Sequence, residues 1–177
     1  MHYLITGHTG FKGSWLALML QMQGHTVSGI SLDPQQMSLF NQANLKDLFD
    51  HDFRLDIRNL QELQRAINKI DPDVIVHLAA QPLVVTGWKE PLLTFDTNVV
   101  GTGNLLNELN QIESVRNILV VTTDKVYKLD EQIISRSEGD ELGGKDPYAA
   151  SKAAVELLVA SWPIRQDINI ATARSTS

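Results

Sequence analysis

The sequence predicts a doubly wound parallel α/β sheet, and three observations carry that expectation. Apolar runs of strand length alternate with segments of helical periodicity along the whole chain. The first run ends in the glycine cluster Gly7-His8-Thr9-Gly10-Phe11-Lys12-Gly13. A later run, Val74-Ile75-Val76-His77-Leu78-Ala79-Ala80, is apolar almost throughout, as suits a central strand covered on both faces. Such alternation builds right-handed crossovers, and ligands of these sheets bind beyond the carboxyl ends of the strands.

Tyr3-Leu4-Ile5-Thr6 is the first strand, and a helix begins near Phe11. Between them Gly7 can take the angles of a tight turn, Gly10 lets a ligand approach the main chain, and Gly13 lets the helix pack close on the sheet. Free N–H groups and the positive end of the helix dipole then make a cradle for a pyrophosphate. The G-x-x-G-x-x-G spacing is one residue longer in its first gap than the common dinucleotide fingerprint. Three glycines could also form a plain turn; the strand before them and the helix after them favour the cradle. Trp15, Leu16, Met19, Leu20 and Met22 recur at helical steps and are assigned to that helix's buried face.

Gly24 closes the helix, and the second strand, Thr26 to Leu32, ends at Asp33. A carboxylate about 20 residues beyond the glycine turn can accept hydrogen bonds from the adenosine ribose hydroxyls. It would also repel a 2′-phosphate and favour NAD over NADP. An ordinary Asp33-Pro34 turn is the alternative. Residues 35–50 read as a loop with a short helix, and Phe53 to Arg58 as a third short strand. Asn59 and Glu62 form a capping pair for a helix whose buried stripe is Leu60, Leu63, Ile67 and Ile70, stopped by Asp71-Pro72-Asp73.

The fourth strand is the apolar run, with the small Ala79 and Ala80 leaving room for a ligand. A polar loop containing Pro82, Gly87 and Pro91 leads to a long helical stretch from about Leu92 to Ile112. Gly101 and Gly103 interrupt it at about 1 kcal/mol each relative to alanine, so close packing against the sheet or a second subunit is expected there. Asn117 to Thr122 is the fifth strand and runs into Thr123-Asp124-Lys125-Val126-Tyr127. After a charged, glycine-bearing loop from Lys128 to Asp146, Pro147 opens a helix containing Tyr148, Ser151 and Lys152, and Ile168 to Ala173 is the last strand.

With 177 residues, 43% of them hydrophobic and 20% charged, the chain reads as one globular domain over 1–177. The net charge of -6 is dispersed, which argues against a nucleic-acid surface. The absence of cysteine excludes disulfides, thiolate metal sites and a cysteine nucleophile, and suits a reducing cytoplasm. No apolar run reaches the ~20 residues needed to cross a bilayer, and the N-terminus enters a strand rather than a signal sequence. The five histidines never fall at helical metal-ligand spacing with a carboxylate, so no metal site is expected.

Tyr148 and Lys152 are four residues apart on one helical face. An ammonium beside a phenol favours the phenolate and lowers its ordinary pKa of about 10. Such a tyrosine can take a proton from an alcohol while hydride leaves for a nicotinamide. A Y-x-x-x-K pair is common on surfaces; behind a nucleotide-binding half it becomes a catalytic candidate.

Four segments together, Gly7 to Trp15, His77 to Leu83, Thr122 to Tyr127 and Leu142 to Tyr148, resemble the extended short-chain dehydrogenase/reductases. Among these the similarity is to nucleotide-sugar 4,6-dehydratases acting on CDP-glucose, in register from Met1 to about Arg174. The resemblance implies a Rossmann-like fold, tight NAD binding, a nucleotide-sugar substrate such as CDP-glucose, and a homodimer through helices near 92–112 and 147–161. It implies cofactor contacts from Gly7, Thr9, Gly10, Phe11, Lys12, Gly13, Asp33, Asp56, Ile57, Leu78, Ala79, Ala80, Asn98, Thr122, Tyr148 and Lys152. Tyr148 would deprotonate the sugar 4-hydroxyl, Lys152 would hold the phenolate, and Thr123 would bond the same oxygen. Asp124 would be the acid that expels the 6-hydroxyl. Lys125 would be the base at carbon 5, which requires burial and nearby positive charge to make it neutral.

Family members continue past the Ala173-Arg174 strand end into a glycine-rich stretch and a substrate lobe, where this sequence reads Ser175-Thr176-Ser177. A truncated cofactor half is therefore expected, without the last strand and the lobe, exposing a strand edge and apolar surface. An epimerase of the same superfamily and a non-catalytic NAD-binding remnant are the alternatives.

Overall fold

The computed structural model describes residues 1–128 and 135–176; part of the charged loop, 129–134, and residue 177 lie outside them. Six strands, β1 (His2–Thr6), β2 (Thr26–Ser31), β3 (Asp52–Arg54), β4 (Val74–His77), β5 (Asn117–Thr123) and β6 (Asn169–Ser175), form one sheet. Their order is β3-β2-β1-β4-β5-β6, and every pairing is parallel. From β1 the chain steps outward to β2 and β3, then returns to the other side of β1 as β4. The sheet's switch point thus lies between β1 and β4, immediately below the glycine turn.

Around the sheet run α1 (Phe11–Met22), α2 (Leu39–Gln42), α3 (Leu60–Ile70), α4 (Val84–Lys89), α5 (Pro91–Phe95), α6 (Gly101–Leu109) and α7 (Pro147–Ser161). Successive side chains of a strand point to opposite faces, so Leu4 and Ile5 of β1 fall in different cores. Leu4 joins Leu63, Ile67, Leu105, Val120 and Val155 under α3, α6 and α7. Ile5 joins Ala17, Leu20, Val27, Phe40 and Phe49 under α1 and α2. Both faces are covered in this way, and β1 reads as apolar on both.

The face assigned to α1 is corrected by the structure. Its buried residues are Gly13, Ser14, Ala17 and Leu20, whereas Trp15 (49%), Met19 (55%) and Met22 (87%) are exposed. The cause is proximity: a Cβ on Gly13 would lie 2.4 Å from the Gly7 carbonyl oxygen. A helix pressed this close at its start admits only the small Gly13, Ser14 and Ala17 there, so Trp15 and Met19 point outward, and of the expected face Leu20 is buried one turn further on.

Other boundaries shift for local reasons. Leu60 is exposed, and Ala66 completes the buried stripe of α3; the Asn59 side chain caps it by accepting from Glu62 N at 3.2 Å. The third strand is only Asp52–Arg54, because Asp56 and Asn59 already form the turn into α3. The central strand ends at His77, where the Thr6 hydroxyl accepts from the N–H groups of Leu78 and Ala79 (3.2 Å each) and draws the chain off the sheet. The predicted 92–112 helix is α5 and α6 joined by a wide π turn over Asp96–Val100, and α4 precedes it inside the expected loop. Gly101 is there for packing within the chain: a Cβ would meet Ile57 Cδ1 at 2.6 Å. Gly103 has no such requirement, its nearest neighbour being Trp162 at 3.8 Å.

Candidate active site

The glycine turn is shaped by contacts that exclude a side chain. Gly7 has φ +75°, and a Cβ there would lie 2.7 Å from Ala79 N. Its own N–H donates to Ile30 O at 2.7 Å, and Gly10 N–H donates back to Gly7 O at 3.0 Å. Thr9 ties the turn to the end of β2 through Ser31 Oγ (2.7 Å) and Leu32 O (3.2 Å). Gly10 is the N-cap of α1, without a side-chain cap and with no acidic residue in the first turn. The helix therefore presents uncapped N–H groups and the positive end of its dipole toward the switch point. Phe11 is exposed at this end, and Lys12 Nζ reaches across to Ser175 Oγ (2.8 Å) and Thr176 O (3.2 Å).

Asp33 is exposed beyond β2 and lines a cavity of about 480 Å³ with Pro34, Phe40, Asn41, Lys46 and Arg54. Asp56 is paired with Arg58 at 2.6 Å, and that guanidinium holds its carboxyl below the usual range. Ile57 beside it is buried against Gly101. Leu78, Ala79 and Ala80 are half-buried at the other lip of the turn. Asn98 is buried, with its amide committed to Gln81 N (2.7 Å), Gln81 O (3.2 Å) and Ser151 Oγ (2.9 Å). It holds the 79–81 loop against α7.

At the end of β5, Tyr148 and Lys152 are both buried on α7, whose N-cap Asp146 accepts from Ala149 N at 2.9 Å. Lys152 Nζ donates to Val121 O at 2.8 Å, and burial pushes its ammonium down to about 8. The expected depression of Tyr148 is not what this geometry produces. Burial pushes the phenol above its ordinary value; a hydrogen bond with Thr123 opposes this, and Asp124 and Asp146 reinforce it. Lys152 is directed at a carbonyl while the phenol faces two carboxylates. Thr123 also donates to Asp124 Oδ1 at 3.1 Å. Asp124 and Lys125 are exposed, so the burial required of Lys125 as a neutral base is absent from this chain. Thr122 donates its hydroxyl to buried Glu156, which also accepts from Thr172 (2.9 Å) and Arg174 (3.0 Å). Burial opposes the Glu156 charge, yet the hydrogen bonds from Arg174, Thr122 and Thr172 hold its carboxyl below the ordinary range.

A polar file missed in the sequence joins these parts. Thr6 Oγ1 lies 2.7 Å from His77 Nδ1, and His77 Nε2 lies 2.9 Å from Thr102 Oγ1, which donates to Asn98 O at 2.6 Å. The Thr102 donation fixes the tautomer: Nε2–H donates to Thr102 and Nδ1 accepts from Thr6. The available signal was a histidine inside an otherwise apolar strand. Burial, with the nearby Lys152 charge, pushes His77 down to about 3 from 6.5. The unfolded chain therefore binds the extra proton, and stability is present in full above pH 6.5 and is lost as pH falls toward 3. Urea unfolding at pH 7 and pH 4.5 should show the unaltered chain losing about 2–3 kcal/mol more than His77→Asn.

Among the described residues, no group of three His, Cys, Asp or Glu side chains is placed to hold a metal, and no helix is long and apolar enough to cross a membrane. A parallel sheet with a bare helix N-terminus at its switch point, facing a Tyr-x-x-x-Lys helix across one strand, is the architecture of the short-chain dehydrogenase/reductases. Within that class, the family model described as GDP-mannose 4,6 dehydratase matches residues 4–176. The chain belongs to this family. It is 40% identical over 159 residues to the CDP-glucose 4,6-dehydratase of Salmonella typhimurium, covering 89% of this chain and 44% of that protein. It is 34% identical over 172 residues to the CDP-paratose 2-epimerase of Salmonella typhi, covering 88% and 51%. The crystal structure of dTDP-glucose 4,6-dehydratase from Bacillus anthracis, in complex with NAD, superposes with a TM-score of 0.80 at 26% identity, covering 98% and 54%. The chain spans about half the length of the relatives it matches.

Proposed function

We propose that this chain is the NAD-binding half of a nucleotide-sugar 4,6-dehydratase, with CDP-glucose as substrate. The observation that carries the reading is the Thr123-Asp124-Lys125 run placed beside buried Tyr148 at the end of β5. Support for NAD comes from the uncapped start of α1, which favours an anion, and from the similarity to dTDP-glucose 4,6-dehydratase in complex with NAD. The chemistry supplied by bound NAD is reversible hydride storage, taken from carbon 4 of the sugar and given back at carbon 6.

The chain's own residues handle the protons. Tyr148 takes the proton of the 4-hydroxyl, and Thr123 bonds the same oxygen. In the present arrangement the phenol is held protonated, so Lys152 must turn from Val121 O toward it to make it a base. A carbonyl at carbon 4 acidifies the proton at carbon 5. Lys125 removes that proton and Asp124 protonates the departing 6-hydroxyl, so water leaves. When the hydride is given back at carbon 6, Lys125 returns its proton to carbon 5, and the sequence closes without net redox change. The relatives' further length is proposed to cover Lys125 and supply the burial it lacks here.

Calorimetric titration of NAD into the chain tests the first part, with one-to-one binding as the expected result. In a form carrying the substrate-binding half, Lys125→Met should lower dehydration about 100-fold while leaving the oxidation half-reaction intact. An unchanged rate of 6-deoxy product formation would remove Lys125 from the base role. The second reading, an epimerase, is favoured by the similarity to CDP-paratose 2-epimerase. It has no use for an acid and a base that expel water.

We also propose a homodimer through α5, the 96–100 turn and α7, where Leu92, Val100 and Leu157 are exposed apolar residues. Sedimentation velocity should show a dimer that Leu92→Asp combined with Leu157→Asp converts to monomer. A monomer before substitution would end this proposal.

A further inference from the structure

His8 has no role in the scheme above, yet the turn is built around it. Its ring is fully buried (0% exposed) beneath the main chain of the glycine cradle. Strand β2 gives up a side chain to admit it, since a Cβ on Gly29 would lie 2.3 Å from His8 Cγ. Phe40 and Phe49 pack on the ring, with centroids at 5.7 and 4.6 Å. Nε2 lies 2.8 Å from Asp52 Oδ1 on β3. A carboxylate only accepts, so Nε2 carries the proton. Asp52 is held in turn by Arg54 Nη2 at 2.7 Å.

Filling an apolar pocket between two phenylalanines needs only an aliphatic side chain. What the imidazole adds is a directed bond to Asp52, and its main chain sits where that bond has leverage. His8 O accepts from Ser14 Oγ in α1 at 3.1 Å, and a Cβ on Gly13 would meet His8 Cα at 2.6 Å. On the other side, Gly7 is fixed to Ile30 O. His8 is therefore pinned from below by β3, from one flank by α1 and, through Gly7, from the other by β2.

We propose that His8, held by Asp52, is a positioning residue that fixes the pyrophosphate turn in the shape that receives NAD; this rests on the reading of that turn as the NAD site. The test is NAD affinity by calorimetry for the unaltered chain, His8→Leu and His8→Gln, with thermal melting of each. Leucine keeps the volume and loses the donor; glutamine keeps a donor that can reach Asp52. His8→Leu should bind NAD about tenfold more weakly, and His8→Gln should stay within about threefold of the unaltered chain. Equal affinity for His8→Leu and the unaltered chain would overturn the proposal, and so would equal losses in both variants. If His8→Leu does not fold, Asp52→Ala carries the same test, with the same tenfold loss expected and an unchanged affinity overturning it. Failure of the unaltered chain to bind NAD removes the cofactor reading and the proposal with it, whereas binding that ignores His8 removes the proposal alone.

Discussion

Tyr148→Phe, in a form of the protein that carries the substrate-binding half, should lower turnover of the nucleotide sugar by about 10²–10⁴-fold. The side chain is buried on α7, so a phenyl ring fills the same space and the helix keeps its Asp146 cap. What disappears is the hydroxyl that shares a hydrogen bond with Thr123 and that is proposed to take the substrate proton. NAD affinity and melting temperature should therefore stay close to those of the unaltered protein while turnover falls. A variant that retained a tenth or more of the rate would show that another group moves the proton.

Gly7→Ala should be strongly destabilising. The residue sits at φ +75°, where a side chain is strained by about 1–3 kcal/mol. The added Cβ would also meet Ala79 N at 2.7 Å and Ala79 Cα at 2.9 Å, both main-chain atoms with no flexible end to move. Overpacking of that kind adds about 1–3 kcal/mol, so the total expected loss is about 2–6 kcal/mol. Urea unfolding measures it directly. Gly10→Ala is the internal comparison: its φ is -75° and its nearest neighbour is 3.2 Å away, so a much smaller loss is expected.

The alternation of strands and helices was legible because each apolar run is bounded by turn residues, and the parallel sheet because Val74 to His77 is apolar enough to require cover on both faces. Gly7 and Gly13 were legible for the same reason that they are needed, since nothing larger fits, whereas Gly10 was read from its spacing and its added Cβ would meet only Gly7 O at 3.2 Å. The face of α1 was misread because close approach reverses the usual rule, placing alanine and glycine inside and tryptophan and methionine outside. The π turn at 96–100 was invisible because one widened turn leaves the apolar spacing of α5 and α6 looking continuous. At the site, Tyr148 and Lys152 announced themselves by spacing, but the direction of Lys152 toward Val121 O depends on an atom 31 residues away. His8 with Asp52, and His77 with Thr102, are partners 44 and 25 residues apart. No local pattern marks such pairs.

The file from Thr6 through His77, Thr102 and Asn98 to Ser151, which donates to Tyr148 O at 2.7 Å, runs from the strand under the glycine turn to the helix of the candidate base. Its members polarise one another, so their contributions do not add independently. For anyone recombining this chain with its relatives, the crossover point matters more than overall identity. A chimaera that takes β1 and β4 from one parent and α7 from another inherits half a circuit, whereas one that exchanges all five residues together keeps it closed.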